Sequence, residues 1–210
     1  MAARKYYAVR VGLTPGIYDT WEEARAQVEG FPGAEHRAFT KLTEAQMYMG
    51  LPVTLEPQGD PSDEEMLARC RADGSAIAYV DGSFNSATGE FAYGIVMFEP
   101  NGVHRHAEKY DLPDMAAMRN VAGEIKGAAV AMRFCYLHNI PRLTIYHDYE
   151  GIAKWCTGEW RAKLPGTQGY ACFYKKISPR VKVTFVKVKG HSGDKYNDQA
   201  DGLARSALGL

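Results

Sequence analysis

From Ser75 to Leu208 the chain reads as three strands in a row, followed by strands and helices in alternation. That order constrains the fold more than any other feature. The first strands are expected over Ala76–Val80, Tyr93–Phe98 and Val103–Tyr110, and the last two are joined by Glu99-Pro100-Asn101-Gly102. Asn-Gly is the strongest short-range hairpin signal, so these strands should be antiparallel. A long Ala- and Met-rich helix follows from about Arg119 to Leu137, then a strand over Arg142–Tyr146 and a helix from about Tyr149 to Cys156. A short helix within Gly166–Ser178, an alternating strand Val181–Val188 and a terminal helix Asp194–Leu208 complete the pattern. Hairpins early and strand–helix alternation late imply one sheet, antiparallel on one side and parallel on the other.

Two shorter regions precede it. Residues 1–50 read as a small unit: strands at Tyr6–Val11 and Ile17-Tyr18, a helix to about Glu29, an extended piece Glu35–Phe39 and a last short helix to about Met49. Thr20-Trp21-Glu22-Glu23 and Thr43-Glu44-Ala45-Gln46 have capping-box spacing and should start the two helices. Residues 51–74 carry three prolines and an acidic cluster from Glu56 to Glu65, and read as a linker, with room for a helical turn or two over Glu64–Arg71, ahead of a domain spanning 75–210.

Composition narrows the class. No stretch approaches the ~20 apolar residues of a membrane span. Met1 to Tyr7 has no apolar signal core, and Cys70, Cys135, Cys156 and Cys172 are scattered without a CxxC pair. A cytoplasmic, reducing setting without zinc or disulfides is expected. Net charge is zero, yet no Asp or Glu occurs between Arg161 and Gly193 while eight Lys and Arg do. A basic face of this kind is compatible with phosphate binding or with plain solvation.

Four acids stand out on this scaffold. Asp81 ends the strand Ala76–Val80, within Tyr79-Val80-Asp81-Gly82-Ser83-Phe84-Asn85, and Asp148 ends the strand before Tyr149. If those strands are parallel neighbours, their ends lie ~5 Å apart and both acids share one rim. An Asp-Gly pair after a strand is also an ordinary turn. Glu124 falls with Ala128 and Cys135 on a helical stripe that should face the sheet, where an acid is costly unless paired or bound to a cation. In the last helix Asp201 lies one position round from an apolar stripe, with Asp194 and Asp198 as rivals. Several carboxylates without a Cys/His cluster make an oxygen-rich site suited to Mg²⁺ or Mn²⁺.

Tyr79–Asn85, Val121-Ala122-Gly123-Glu124, Tyr146-His147-Asp148 and Lys187 to Asp201 resemble, in order and spacing, the four motifs of type 1 ribonuclease H. The resemblance implies an α/β fold: a ribonuclease H-like mixed five-stranded sheet flanked by helices, preceded by a small α+β hybrid-binding domain. It implies an endoribonuclease that cuts the RNA strand of RNA–DNA hybrids with two Mg²⁺, Mn²⁺ substituting, and leaves 5′-phosphate and 3′-hydroxyl ends. Asp81, Glu124, Asp148 and Asp201 would hold the metals, the last because it is the tenth residue after the motif histidine. His191 would assist proton transfer or product release, and Asn85, Asn120 and Asn197 would contact the hybrid or orient the site. Val121 departs from the polar residue common there, and Trp155–Lys163 is shorter than the basic handle of some relatives.

Residues 6–32 resemble the hybrid-binding domain that precedes many ribonucleases H and is also known from a plant-virus inclusion protein. The resemblance implies that Tyr7 and Trp21 pack on the DNA strand and Arg37 holds the RNA, with double-stranded RNA as a second candidate partner and the chain a monomer. His36 replaces the usual aromatic, and Ala38 one of two basic residues. From the residues alone, the core of so small a domain is the favoured place for Tyr7 and Trp21. Three rivals remain: a serine hydrolase, since Gly190–Asp194 is similar to G-x-S-x-G but lacks its last glycine; a resolvase- or integrase-like nuclease; and a nucleic-acid-binding protein with a silent nuclease domain.

Overall fold

The computed structural model describes residues 5–40, 42–50, 61–190 and 193–210. The chain divides between Gly59 and Asp60 into two compact units. The first contains β1 (Tyr6–Val11), β2 (Gly16–Tyr18), α1 (Trp21–Val28), β3 (Glu35–Phe39) and α2 (Leu42–Tyr48). Its antiparallel sheet has the order β2-β1-β3. The Thr20 hydroxyl accepts from the Glu23 N–H and the Glu23 carboxylate accepts from the Thr20 N–H, so the expected capping box starts α1. The second capping pattern is displaced, because α2 begins at Leu42 and Thr43 lies inside its first turn. The fully buried apolar residues of this unit are Ala8, Val9, Ala24 and Ala45, all small. So thin a core leaves the large aromatics outside it.

The second unit contains α3 (Asp63–Asp73), β4 (Ala76–Phe84), β5 (Phe91–Glu99), β6 (Gly102–Tyr110), α4 (Pro113–Ala116), α5 (Asn120–Leu137), β7 (Arg142–His147), α6 (Gly151–Thr157), α7 (Pro165–Ile177), β8 (Lys182–Lys187) and α8 (Lys195–Ala207). Its five strands run β6-β5-β4-β7-β8, antiparallel across β4, β5 and β6 and parallel across β4, β7 and β8. The division follows from the connections. A tight turn can only join antiparallel strands, whereas β4 reaches its parallel neighbour β7 after the length of α5.

Alternation along β4 and β5 sorts the core onto two faces. Ala78, Val80, Tyr93 and Ile95 pack against Ile125, Ala128, Ala131 and Met132 of α5. Ile77, Tyr79, Val96 and Phe98 pack against Met66 and Cys70 of α3 and Tyr196 and Ala200 of α8. Among the described residues no helix is long and apolar enough to cross a membrane.

Two expectations change. The strand expected to stop at Val80 continues to Phe84, because β5 keeps pairing with it as far as Phe84 opposite Phe91. Only its parallel ladder to β7 stops early, at Tyr79 opposite Tyr146. Asp81 therefore lies inside a strand, at the point where the β7 side opens. The proposed linker also shortens. Its residues 51–60 lie outside the described chain, but Asp63–Asp73 forms a helix with a Ser62–Glu65 capping box and a Gly74 cap at φ 66°. Met66 and Cys70, one helical turn apart, are buried against the sheet. Two buried apolar residues in a helix with six charged ones leave little trace in composition, yet they suffice to dock the helix.

Candidate active site

Asp81 on β4, Glu124 in the second turn of α5 and Asp148 just beyond β7 each bring a carboxylate oxygen to within 4.8 Å of the others. Backbone contact makes this possible. A Cβ on Gly82 would fall on the Asn120 carbonyl and the Glu124 nitrogen, and one on Gly123 would fall on the Ala92 carbonyl. With no side chain on either surface, α5 lies directly on the sheet and Glu124 reaches Asp81. After β8 the chain returns so close that a Cβ on Gly190 would touch Asp148 Oδ2.

The electrostatics are those of a site short of positive charge. Glu124 is 1% exposed and Asp81 7%. Burial, then Asp148 and Asp81, pushes the Glu124 carboxyl up to about 9. Burial, then Asp148, raises Asp81 to about 7, with smaller contributions from Asp201 and Asp198, against the lowering effect of the Gly82 N–H 2.7 Å from Oδ1. The Glu124 Oε2 atom is buried without a hydrogen-bond partner. An unsatisfied buried acceptor beside two further carboxylates fits a hard divalent cation bound through oxygen.

The fourth acid is placed differently. Asp201, on α8, is partly exposed and close enough to raise Asp81, but it stands outside the three-acid group. Its rivals have other roles or settings. Asp194 caps α8, accepting from the Tyr196 and Asn197 N–H groups at 3.1 and 3.0 Å, and Asp198 is exposed. Asn120 is exposed at the first position of α5. The Asn85 side-chain oxygen accepts from the Ala87 and Thr88 N–H groups in the β4–β5 turn. Asn197 is 2% exposed with its Oδ1 buried and unpartnered, which places it beneath the surface. His191 lies outside the described residues.

His147 was not singled out by sequence reasoning. It is 1% exposed beside Asp148, with Nδ1 3.0 Å from the Tyr149 carbonyl, its ring edge-on to Phe185 and Nε2 buried without a partner. Burial lowers its pKa first of all. The only sequence signal was a histidine at a strand position whose alternation points inward.

The profile described as RNase H matches residues 73–209, about two thirds of the chain. The chain belongs to the ribonuclease H family. The profile described as Ribonuclease H1 N-terminal domain matches residues 5–49 of this ribonuclease H family member. Ribonuclease H1 of Homo sapiens is 26% identical across 95% of this chain and 88% of the human protein. Ribonuclease H of Saccharomyces cerevisiae is 41% identical over 54 residues, covering 26% of this chain but only 16% of the yeast protein. The crystal structure of RNase H1 from Halobacterium salinarum has the same fold, with a TM-score of 0.52 at 19% identity over 65% of this chain and 98% of that one.

In the N-terminal unit of this ribonuclease H, Tyr7 and Trp21 lie 5.7 Å apart between ring centroids, and Trp21 and His36 5.4 Å. Trp21 is 38% exposed, so the three rings form a surface row and not the core that residue type alone favours for Tyr7 and Trp21. Arg37 is exposed, its guanidinium 5.6 Å from the Phe39 ring centre.

Proposed function

We propose that this chain hydrolyses the RNA strand of RNA–DNA hybrids with two divalent cations, Mg²⁺ or Mn²⁺, leaving 5′-phosphate and 3′-hydroxyl ends. The observation that carries this reading is the three-acid cluster, with Asp81 and Glu124 buried and one Glu124 oxygen orphaned, inside the span that the family match covers. Asp81, Glu124, Asp148 and Asp201 would hold the cations. Once bound, they would supply the Lewis acidity that activates a water and stabilises the leaving 3′-oxygen.

The chain's own groups do the rest. Burial raises the Asp81 and Glu124 carboxyls, and positive charge in place of their lost hydration would favour the ionised form of both at neutral pH. Asn120, exposed beside Glu124 at the start of α5, and Asn85, in the turn beyond Asp81, contact the hybrid, whose RNA strand is told from DNA by its 2′-hydroxyls. Asn197 orients the site from below. His191 assists proton transfer or product release, a role that rests on the motif alone. The N-terminal unit captures the hybrid through Tyr7, Trp21 and Arg37, with duplex RNA as a second ligand, and raises the local substrate concentration. The chain acts as a monomer.

The direct test is cleavage of a labelled RNA–DNA hybrid beside duplex RNA and duplex DNA, each with Mg²⁺ and with EDTA. Mg²⁺-dependent cutting of the hybrid's RNA strand alone is expected. Cutting of duplex DNA would favour a resolvase-like enzyme, and binding without cutting a silent nuclease domain. Trp21→Ala should separate capture from chemistry. Aromatic stacking is worth about 1–3 kcal/mol per base, so hybrid affinity should fall roughly tenfold while turnover at saturating substrate holds. Equal affinity in a filter-binding titration would remove Trp21 from the binding surface.

A further inference from the structure

α8 carries Asp201, and where the helix comes closest to the sheet no side chain lies between them. A Cβ on Gly94 would fall on the Ala200 carbonyl and the Ala204 nitrogen, so α8 rests on β5 through its backbone. Such a contact sets the distance between helix and sheet. It provides no interlocking side chain against rolling of the helix about its own axis. A roll of about 10° moves a carboxylate held about 5–6 Å from the axis by roughly 1 Å. That displacement is large beside the tolerance of a Mg²⁺ site, which demands near-ideal geometry.

The first turn of α8 supplies the missing stop. Tyr196 is 1% exposed, its ring edge-on to Phe98 at 4.8 Å and 5.3 Å from Tyr79, which stacks on Tyr146 at 4.5 Å. Tyr79 and Tyr146 each stand two residues before a site acid, Asp81 and Asp148. The Tyr196 hydroxyl lies 2.8 Å from the Pro61 carbonyl and 2.9 Å from Asp63 Oδ1, and can donate to either. Asp63 is itself held, accepting from Arg105 at 2.8 Å, while the same guanidinium donates to Gln199 of α8 at 3.1 Å. Lys195 Nζ also reaches the Pro61 carbonyl, at 3.4 Å. The segment entering α3 thus holds α8 directly at Lys195 and Tyr196 and, through Arg105 of β6, at Gln199, two residues before Asp201.

We propose that Tyr196 is a positioning residue, whose hydroxyl, anchored on Pro61 and Asp63, fixes the roll of α8 and so aims Asp201 at the cation site. This rests on the proposed role of Asp201 as a metal-holding group. It also gives α3 a task beyond covering the sheet: the segment that leads into the catalytic unit is the abutment for the helix bearing the fourth acid. Asp63 and Arg105 serve as supports for that abutment and touch neither substrate nor metal.

The test is Tyr196→Phe in the full chain, which removes one hydroxyl and keeps the ring packing. The Mg²⁺ concentration for half-maximal hybrid cleavage should rise about tenfold, the scale on which outer supports affect metal sites. Turnover at saturating Mg²⁺ and KM for the hybrid should stay within about twofold, since substrate contacts are untouched. Mn²⁺ binding to the substrate-free protein, measured by calorimetry, should weaken in step. Asp63→Asn, which also breaks the Arg105 pair, should shift the midpoint in the same direction. Thr167→Val, which removes a buried hydroxyl contact at the start of α7, serves as the stability control: it should lower Tm without moving the metal midpoint. A Tyr196→Phe protein with unchanged Mn²⁺ affinity overturns the proposal, as does a shift that Thr167→Val reproduces. If the wild-type protein cuts no hybrid, the proposed function falls, and the calorimetric comparison still decides the role of Tyr196.

Discussion

Asp81→Asn should lose nearly all hybrid cleavage and keep hybrid binding within about twofold, with a turnover deficit of roughly a thousandfold or more, about 4 kcal/mol in the barrier. The amide matches the carboxylate in shape, and its oxygen can still accept from the Gly82 N–H that now lies 2.7 Å from Oδ1. What goes is the charge that would attract a cation at the centre of the three-acid cluster. The fold should not suffer, because burial and Asp148 already disfavour the charged form of Asp81, raising it to about 7 when no metal is bound. Single-turnover cleavage, a binding titration in Ca²⁺ and a thermal melt check the three parts separately. An active Asp81→Asn enzyme would unseat Asp81 as a metal-holding residue.

The metal-free protein should lose stability as pH rises, opposite to the behaviour of a salt-bridged carboxylate. The sign follows from the raised values. Asp81 rises to about 7 and Glu124 to about 9, from ordinary values of 3.8 and 4.5. Between the ordinary and the raised value, the folded state holds a proton that the unfolded chain has released, so ΔG of unfolding falls with pH there. The stabilisation is complete below about pH 4 and is lost progressively as pH climbs through 7 for Asp81 and 9 for Glu124. Mg²⁺ binds the ionised site, so it should raise Tm more at about pH 8 than at about pH 6, and EDTA should abolish the difference. Glu124→Gln replaces the titrating acid by a permanently neutral group. It should flatten the alkaline decline in the absence of metal while abolishing cleavage. A wild-type melt that is flat from about pH 5 to pH 9 in EDTA would mean that the cluster is neutralised by other means.

Much of the site was legible along the chain. Asp81 and Asp148 could be placed on one rim because strand order and direction follow from connection lengths, and the sheet has the expected mixed arrangement. Glu124 stood out as an acid on an otherwise small, apolar stripe, and it is 1% exposed against the sheet. Other points could not be read locally. Helical periodicity left Asp194, Asp198 and Asp201 as rivals, and only the backbone hydrogen bonds at the start of α8 show that Asp194 is taken up as a cap. The choice between core and surface for Tyr7 and Trp21 depended on how little space four small buried residues leave in the first unit. α3 was read as linker because its charge outweighs the two apolar residues that dock it.

The sequence by itself determined most of the elements, their order, the mixed sheet and the identity of the acids, since these depend on local periodicity, turn chemistry and motif spacing. Only the tertiary structure decided how close those acids come and what steadies them. That depends on residues distant in the chain meeting without side chains between them, as Gly82 meets α5 and Gly94 meets α8, and on Pro61 and Asp63 meeting Tyr196 across more than 130 positions. No local pattern records such approaches, because the glycine, the helix that lies on it and the group that stops the helix from turning are specified by separate parts of the chain.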